Sequence, residues 1–544
     1  MKKLICIFFA TLLIISSCDE EKFLKEVPLD FYSPENSFAT PENFNTAVVK
    51  LYEQMRYIII ERHQLINWIE SHTDVLHHSG PIYFSVQDYL NPTYSEARNL
   101  WTQLYGVISK ANAILARIDN KDIQFSSEKQ RNIYKAEASF MRGVAYRWLG
   151  IIYGGVPIVT EEITKPKRDF VRAQRSEVWQ QSIADVLYAS QNLPEITEIK
   201  EEGRVPKAAA YHQLAELYVI TKEWDKAIAA ATWVIDNPNY ALMKNRFGAK
   251  KNEPGDVYWD LFRRGNQNRS SGNKEGIWVS QFEYLTPGGG ISQMFNCNPL
   301  YWQLKDPNGV NLFIGPTAKY GGRSTASFIS TQYLRNTIWA SDFNNDIRNS
   351  NYNIIRDIKA DNPKSKFYDQ YIVASGALAK APNLYDVNWS VIFVKNCQPN
   401  DYPPEAYDNL QTGLTNSLSN RLWTDSYIFR LAETYLLRAE AYVGKGNTAS
   451  AAADINVIRQ RANASPVDPS KVTLDYVLDE RARELFIEEK RGLTLMRLGL
   501  YYTRTVKYGD YTTGIHEFHN LWPIPQSEID ANTEAELEQN PGYN

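Results

Sequence analysis

Helical stripes of apolar side chains constrain the fold of this 544-residue chain more than any other feature. Between positions 101 and 118, apolar residues recur every three or four positions, which places them on one face of an α-helix. The members of this stripe are Trp101, Leu104, Ile108, Ala111, Leu115 and Ile118. Similar stripes occur at 44–55, 140–152 and 179–193, and Pro194 ends the last one. The sequence therefore predicts a mainly α protein whose stripes form the core.

Two segments, 207–240 and 426–463, have the pattern of tetratricopeptide-like helix pairs. Each combines small and apolar residues at fixed spacing with a break in the middle, so that two antiparallel helices can approach closely and stack with further pairs. The residues that define the pattern are Leu214, Ala215, Tyr218, Ala227, Ala231, Val234, Ala439, Tyr442, Ala451, Ile455 and Ile458. We predict a scaffold of paired helices.

The stretch from Arg246 to Asn420 has a different character. Helical stripes fade there, and turn-forming sequences such as Gly288-Gly289-Gly290 and Pro307-Asn308-Gly309 take their place. We therefore predict a loop-rich, irregular subdomain, 246–420, inserted between two helical parts, 41–245 and 421–544. Loops on a rigid frame are where binding residues are most often found.

The first residues have the organisation of a lipoprotein signal peptide. Two lysines precede an apolar run, Leu4 to Ile15, which is too short to span a bilayer. Small residues then lead to Cys18, which resembles the lipobox cysteine that bacteria acylate to form a new N-terminus. We expect a signal peptide at 1–17, lipidation of Cys18 and an acidic tether at 18–40. A plain signal peptide with an incidental cysteine is the alternative.

Composition argues against several classes of protein. The chain has 59 Lys and Arg against 63 Asp and Glu, so it lacks the basic excess typical of nucleic-acid-binding proteins. Four cysteines are too few for a disulfide-built fold, although Cys297 and Cys397 could pair in an oxidising compartment. The sequence has no phosphate-binding glycine loop, no His-Glu-x-x-His and no Gly-x-Ser-x-Gly motif, so we expect no cofactor, no metal and no catalytic residue.

Several motifs, in order along the chain, resemble those of the SusD/RagB family of outer-membrane nutrient-binding lipoproteins. Tyr153-Gly154-Gly155-Val156-Pro157 follows one predicted helix, and Gly203-Arg204-Val205-Pro206 precedes the next. A longer match runs from Arg430 to Ala441. Near the end, Pro523-Ile524-Pro525-Gln526 is followed by Gln539-Asn540-Pro541-Gly542-Tyr543. The resemblance extends over nearly the whole chain.

The resemblance implies both a fold and a role. Members of this family have an α-helical scaffold of four repeat pairs that carries a variable loop-rich region. They bind glycans, less often peptides, and sit as a lid over a SusC-like TonB-dependent barrel. Asp19-Glu20-Glu21 also resembles the surface-export signal of Bacteroidetes lipoproteins. We therefore expect a lipid-anchored outer-membrane protein exposed at the cell surface.

Candidate ligand contacts lie in two segments that combine aromatic rings with hydrogen-bonding side chains. A sugar has apolar C–H faces that a ring can cover, and hydroxyl groups that Asp, Asn, His or Arg can satisfy. One segment begins at Asp74, in a connection that faces ligand in the family, and the other runs from Tyr284 to Trp339. The predicted glycan-binding residues are Asp74, His77, His78, Tyr83, Tyr301, Trp302, Tyr320 and Arg323.

The histidines of the first segment have other interpretations. His72, His77 and His78 lie near Asp74, and imidazole with carboxylate suits zinc. An ordinary loop surface is the further alternative. The sequence leaves these three interpretations open.

The predicted environments of the aromatic residues also differ. Trp101 and Trp148 lie on helical stripes and should be core, and Trp278 lies in a short apolar segment that predicts a buried strand. Tyr301 and Trp302 lie between turn-forming sequences, so they are the first candidates for a ligand platform. Each candidate ring could equally be buried, since buried aromatics are commoner.

Glu480, Glu484 and Glu488 recur at i, i+4 spacing and would share one helix face. Paired carboxylates can hydrolyse glycosides. Arginines surround these three, however, and a general acid needs an apolar pocket. We predict structural ion pairs here.

Taken together, these features predict a non-catalytic lipoprotein that captures oligosaccharide and delivers it to a SusC-like TonB-dependent outer-membrane transporter. A peptide-binding, RagB-like member of the family is the main alternative. A helical glycoside hydrolase would need two carboxylates facing one cleft, and a pure scaffold protein would lack an exposed aromatic cluster.

Overall fold

Helices form most of the regular structure, as the stripes predict. The computed structural model describes residues 38–61, 69–70, 72–79, 86, 90–290, 297–378, 386–510 and 512–543. The helices in these ranges are α1 (Pro41–Arg56), α2 (Ser95–Arg117), α3 (Glu128–Ile152), α4 (Arg175–Asn192), α5 (Lys207–Ile220), α6 (Trp224–Ile235), α7 (Val257–Leu261), α8 (Gln332–Arg335), α9 (Leu431–Gly444), α10 (Thr448–Arg461), α11 (Leu474–Leu485), α12 (Arg491–Arg497), α13 (Tyr501–Tyr508) and α14 (Gln526–Ala531). The prediction of a mainly α fold is confirmed.

Four helix pairs form the scaffold: α1 with α2, α3 with α4, α5 with α6, and α9 with α10. Small residues let helices approach closely, both within a pair (α3 and α4) and between neighbouring pairs (α6 and α9). A Cβ atom added at Gly143 would lie 2.7 Å from Val186 Cγ2, and one at Gly444 would lie 2.7 Å from the Trp224 ring. Such distances are shorter than van der Waals contact, so a larger side chain would push the helices apart. The predicted tetratricopeptide-like scaffold is therefore confirmed.

The helix starts and stripes follow local rules. Thr40 is the N-cap of α1 and Pro41 is its first residue, where the missing proline N–H costs no hydrogen bond. Ser127 caps α3 by accepting a hydrogen bond from the backbone N–H of Gln130 at 3.1 Å. Trp101 and Trp148 are buried, which confirms the prediction that they belong to the core.

The chain between α7 and α9 has short strands and turns, and one of these strands pairs with a strand that lies between α1 and α2. The strands are β1 (Leu76–His78), β2 (Gly276–Ser280), β3 (Phe328–Ser330), β4 (Ile354–Ile355), β5 (Ile392–Phe393), β6 (Tyr407–Asn409), β7 (Leu414–Thr415) and β8 (Ser426–Arg430). They pair antiparallel in four two-stranded ladders, β1–β3, β2–β8, β4–β5 and β6–β7. The predicted buried strand around Trp278 is β2, and the Trp278 Nε1–H donates to the Gly203 carbonyl at 3.1 Å.

Two further sequence predictions concern cysteines and the N-terminus. Cys297 and Cys397 are buried and unpaired, so the disulfide considered from the sequence is not formed.

Cys18, the signal peptide and nearly all of the predicted tether lie outside the described residues. Among the residues that are described, no helix has both the length and the apolar character needed to cross a bilayer.

Candidate functional site

The β1–β3 ladder brings together the two segments in which ligand contacts were predicted. His77 lies opposite Ile329, and His78 lies opposite Phe328. The ladder continues through the Ser79 N–H, which donates to the Ser327 carbonyl at 3.0 Å. Residues about 250 positions apart in sequence therefore share one surface.

Asp74 lies beneath this surface and has no solvent-exposed area. Arg491 Nη2 and Arg504 Nε lie 2.6 Å and 2.8 Å from its Oδ2 atom. Burial alone would raise the pKa of this carboxyl, but the two guanidinium groups lower it below its usual value. The Asp74 carboxylate thus ties the segment to α12 and α13, and we do not include it among the proposed ligand contacts.

The two histidines of β1 differ in exposure. His77 is buried, its Nδ1 atom lies 3.1 Å from the His78 carbonyl oxygen, and burial lowers its pKa to about 4. Its ring is therefore uncharged at neutral pH. His78 is half-buried and packs edge-on against Phe328, with 6.1 Å between ring centroids. Of the two, His78 is the side chain that a ligand can reach.

The zinc interpretation has no support in the described part of the chain, which holds no group of three His, Cys, Asp or Glu residues placed to bind one ion. His72 and His77 are both buried, and Asp74 is occupied by its arginines. Tyr83, the remaining predicted residue of this segment, lies outside the described residues.

Tyr301 and Tyr320 form the interior of an aromatic cluster in the loop-rich region. Tyr301 is 1% exposed, its hydroxyl accepts a hydrogen bond from the Thr317 N–H at 2.6 Å, and its ring meets Phe313 and Tyr320 edge-on. The Tyr320 hydroxyl donates to the Lys359 carbonyl at 3.1 Å. Both tyrosines therefore have internal packing and hydrogen-bonding roles, so they support the surface and do not form it.

Trp302 is the ring that this cluster presents outward. It is half-buried, and its ring packs edge-on against Tyr301 with centroids 5.4 Å apart. Arg323 is exposed, and its guanidinium carbon lies 5.9 Å from the centroid of the Trp302 ring. An aromatic face beside a fork of N–H donors can cover a sugar ring and bind its oxygens.

Polar side chains continue from Arg323 to the β1–β3 ladder. Thr325 is exposed, and its hydroxyl lies 3.1 Å from that of the half-buried Ser327, which adjoins β1 through its carbonyl. We call Trp302, Arg323, Thr325, Ser327 and His78 the Trp302 surface. Sequence reasoning missed Thr325 and Ser327. The polar composition of the segment from Arg323 to Ser327, after Gly321-Gly322, was the available signal.

An opening of about 290 Å³ lies between α2 and the C-terminal segment and was not predicted. Trp101, Tyr105 and Phe170 line it. Two of its polar groups are bonded within the protein: the Tyr105 hydroxyl donates to the Pro157 carbonyl at 2.7 Å, and Asn112 Nδ2 donates to the Val159 carbonyl at 2.9 Å. Other polar side chains that line it are Thr102, Ser109 and Glu161.

The carboxylates of α11 and the residues after it are buried in an arginine lattice. Glu480 lies 2.8 Å from Arg348 and 3.0 Å from Arg459, and Glu484 lies 2.6 Å from Arg430. Burial would raise the pKa of Glu480, but the neighbouring guanidinium charges lower it to about 2. The prediction of structural ion pairs is confirmed. Glu488, which lies after the end of α11, also lines an opening, where it is paired with Arg430 and Lys395.

Sequence comparisons match most of the chain to one family. The family model described as "SusD family" matches residues 274–543, and the model described as "Starch-binding associating with outer membrane" matches residues 22–219. SusD-like protein P25 of Formosa agariphila is 26% identical to the chain, over 96% of the chain and 95% of that protein.

Solved structures agree with these matches. A SusD homolog from Bacteroides thetaiotaomicron VPI-5482 superposes with a TM-score of 0.72 at 20% identity, covering 94% of this chain and 98% of its own. Surface glycan-binding protein A from Bacteroides thetaiotaomicron, in complex with laminarihexaose, superposes with a TM-score of 0.66 at 20% identity, covering 92% and 99%. The motifs, the four-pair helical scaffold and the two family models agree, and the chain belongs to the SusD family.

Proposed function

We propose that this protein binds oligosaccharide at the Trp302 surface, without cleaving it, and delivers it to a SusC-like TonB-dependent transporter in the outer membrane. The observation that carries the proposal is the pairing of a half-exposed Trp302 ring with the exposed Arg323, on a cluster that fixes the ring from below. A structural neighbour in complex with laminarihexaose supports a glycan ligand.

The lipid anchor belongs to the same proposal. A family model described as associating with the outer membrane matches residues 22–219, which begin four residues after Cys18. Acylation of Cys18 would hold the protein to a bilayer by burying lipid methylene groups. We propose that the anchored protein faces outward, where it meets glycans before the transporter does.

The side chains of the Trp302 surface are suited to binding a glycan and not to hydrolysing it. Its described members are an aromatic ring, a guanidinium group, hydroxyls and an imidazole, and glycoside hydrolysis needs a pair of carboxyl groups instead. The paired carboxylates of α11 are held ionised by arginines, whereas a general acid must keep its proton near neutral pH. A few ring contacts and exchanged hydrogen bonds should give a Kd of roughly micromolar to millimolar.

Calorimetry on the soluble form lacking residues 1–18 tests this function. The panel should contain neutral and charged oligosaccharides and a set of peptides, and the recovered ligands should be examined for cleavage. We expect at least one glycan to bind intact. Binding of peptides alone would favour the RagB-like alternative, and glycan cleavage would contradict the proposal.

A further inference from the structure

The part of the loop-rich region that carries the Trp302 surface is basic, although the protein as a whole is not. Residues 297–378, which we call the basic lobe, contain nine Lys and Arg, six Asp and no Glu. The whole chain has 59 basic and 63 acidic residues. The charge of this lobe is therefore opposite in sign to that of the rest of the molecule.

The acidic groups of the basic lobe are almost all occupied by internal partners. The Asp306 carboxylate accepts from the Asn308 N–H at 2.8 Å, and that of Asp357 accepts from the Val373 and Ala374 N–H groups at 2.9 Å. Asp361 accepts from the Ile314 N–H at 2.8 Å. These carboxylates stabilise turns, and none of the three forms a direct ion pair within the described residues, although Asp306 interacts electrostatically with Lys366 and Asp361 with Lys319.

The cations, in contrast, lie over aromatic rings. Arg323 lies over Trp302 at 5.9 Å, Lys319 over Tyr320 at 5.0 Å and Lys366 over Phe367 at 5.1 Å. Within the described ranges, none of these three cations has a carboxylate at ion-pair distance. The same holds for Lys305 and Lys364 in the lobe, whereas Lys359 is bonded to Asp369 at 2.9 Å. A ring orients a cation but leaves its N–H groups available to an anion.

We infer that the ligand of the Trp302 surface is an anionic glycan, which carries uronate carboxylates or sulfate esters. Trp302 would cover a sugar face while the planar fork of Arg323 binds an acidic substituent through two N–H groups. The lysines of the lobe would attract the remaining negative charges along the chain. This inference rests on the proposed glycan-binding function and specifies its substrate class.

Matched ligand pairs test the inference on the soluble form that lacks residues 1–18. Oligogalacturonate is compared with its carboxyl-reduced, neutral form, and a sulfated galactan oligosaccharide with its desulfated form. The two pairs distinguish carboxylate from sulfate as the recognised group. We expect at least one anionic ligand to bind about tenfold or more tightly than its neutral form at low ionic strength, and the difference to shrink as salt screens the charges.

Arg323→Gln is the informative variant, because it removes the positive charge of an exposed side chain. The hydrogen bond from the backbone N–H of residue 323 to the Ser419 hydroxyl is retained. It should bring the affinity for the anionic ligand close to that for the neutral form. The control Lys121→Gln changes the net charge equally, at an exposed position between α2 and α3, and should leave both affinities unchanged.

Three results would overturn the inference. Equal affinity for the charged and neutral members of both pairs would contradict it while leaving the proposed glycan binding intact. An Arg323→Gln variant that keeps the preference for anionic ligands would remove Arg323 and the Trp302 surface from the recognition. Failure of every glycan to bind would contradict the proposed function itself.

Discussion

Tyr301 and Trp302 are neighbours in one 3-10 turn, yet they have opposite environments. Tyr301 is the centre of the buried aromatic cluster, and Trp302 lies half-exposed at its edge. The short turn separates the two rings, which meet edge-on with centroids 5.4 Å apart. The buried Tyr301 thus fixes the position of the Trp302 ring, which is the one that can contact a ligand.

Replacing Tyr301 with Phe should destabilise the protein without removing the ring. The Thr317 N–H, now donating to the Tyr301 hydroxyl at 2.6 Å, would lose its partner in a buried site. We expect the free energy of unfolding to fall by about 1–3 kcal/mol. Urea denaturation measures this change, and an unchanged midpoint would show that the hydroxyl has no structural role.

At the scale of elements, the buried lattice joins α11 to the loop-rich region and to β8. Arg430 at the end of β8 contacts Glu275, Glu484 and Glu488, and Arg348 contacts Glu480 and Glu484. Removing one member leaves the charges of the others buried without their partner. The lattice therefore holds the helical scaffold and the loop-rich region in one arrangement.

Arg430→Met should lower the free energy of unfolding by about 3–5 kcal/mol, because three carboxylates lose a common partner. Lys50→Ala is the matched control. Lys50 pairs with Glu53 at 2.6 Å on the surface, where such a pair contributes about 0–1 kcal/mol. Chemical denaturation should show a much larger loss of unfolding free energy for Arg430→Met than for Lys50→Ala. Similar losses for the two variants would show that the lattice does not stabilise the fold.

The sequence predicted the elements well where the signal is local. Apolar stripes, the Thr40-Pro41 start of α1 and the Trp278 strand all depend on neighbours within one or two turns, and the structure has each of them. The β1–β3 ladder could not be predicted, because nothing in Leu76–His78 specifies a partner about 250 residues away. The arginine partners of Asp74 are more distant still, so a buried ion pair could not be distinguished from a ligand contact.

At the scale of the whole molecule, the lattice makes stability depend on pH. Arginines lower the pKa of Glu480 to about 2 and lower that of Glu484 and Glu488 as well, from a value near 4.5 in the unfolded chain. The unfolded state therefore takes up protons first as the pH falls, so the stability from these groups is full above about pH 5 and is lost towards pH 2. Denaturant titrations across this range should show a falling free energy of unfolding, and a constant value would contradict the assignment.

Anchoring is also a property of the whole molecule. Cys18→Ala should prevent acylation, so that the protein leaves the membrane fraction of cells and no longer partitions into detergent. Fractionation followed by immunoblotting measures this change. Unaltered membrane association would contradict the proposed lipid anchor while leaving glycan binding unaffected.

The most direct test of the central claim is calorimetric titration of Trp302→Ala with the glycan that the unmodified protein binds best. The half-buried ring lies at the edge of the aromatic cluster, so binding should be lost while the melting temperature falls only slightly below that of the parent chain. Undiminished affinity in a correctly folded Trp302→Ala protein would contradict the claim that the Trp302 surface captures the ligand.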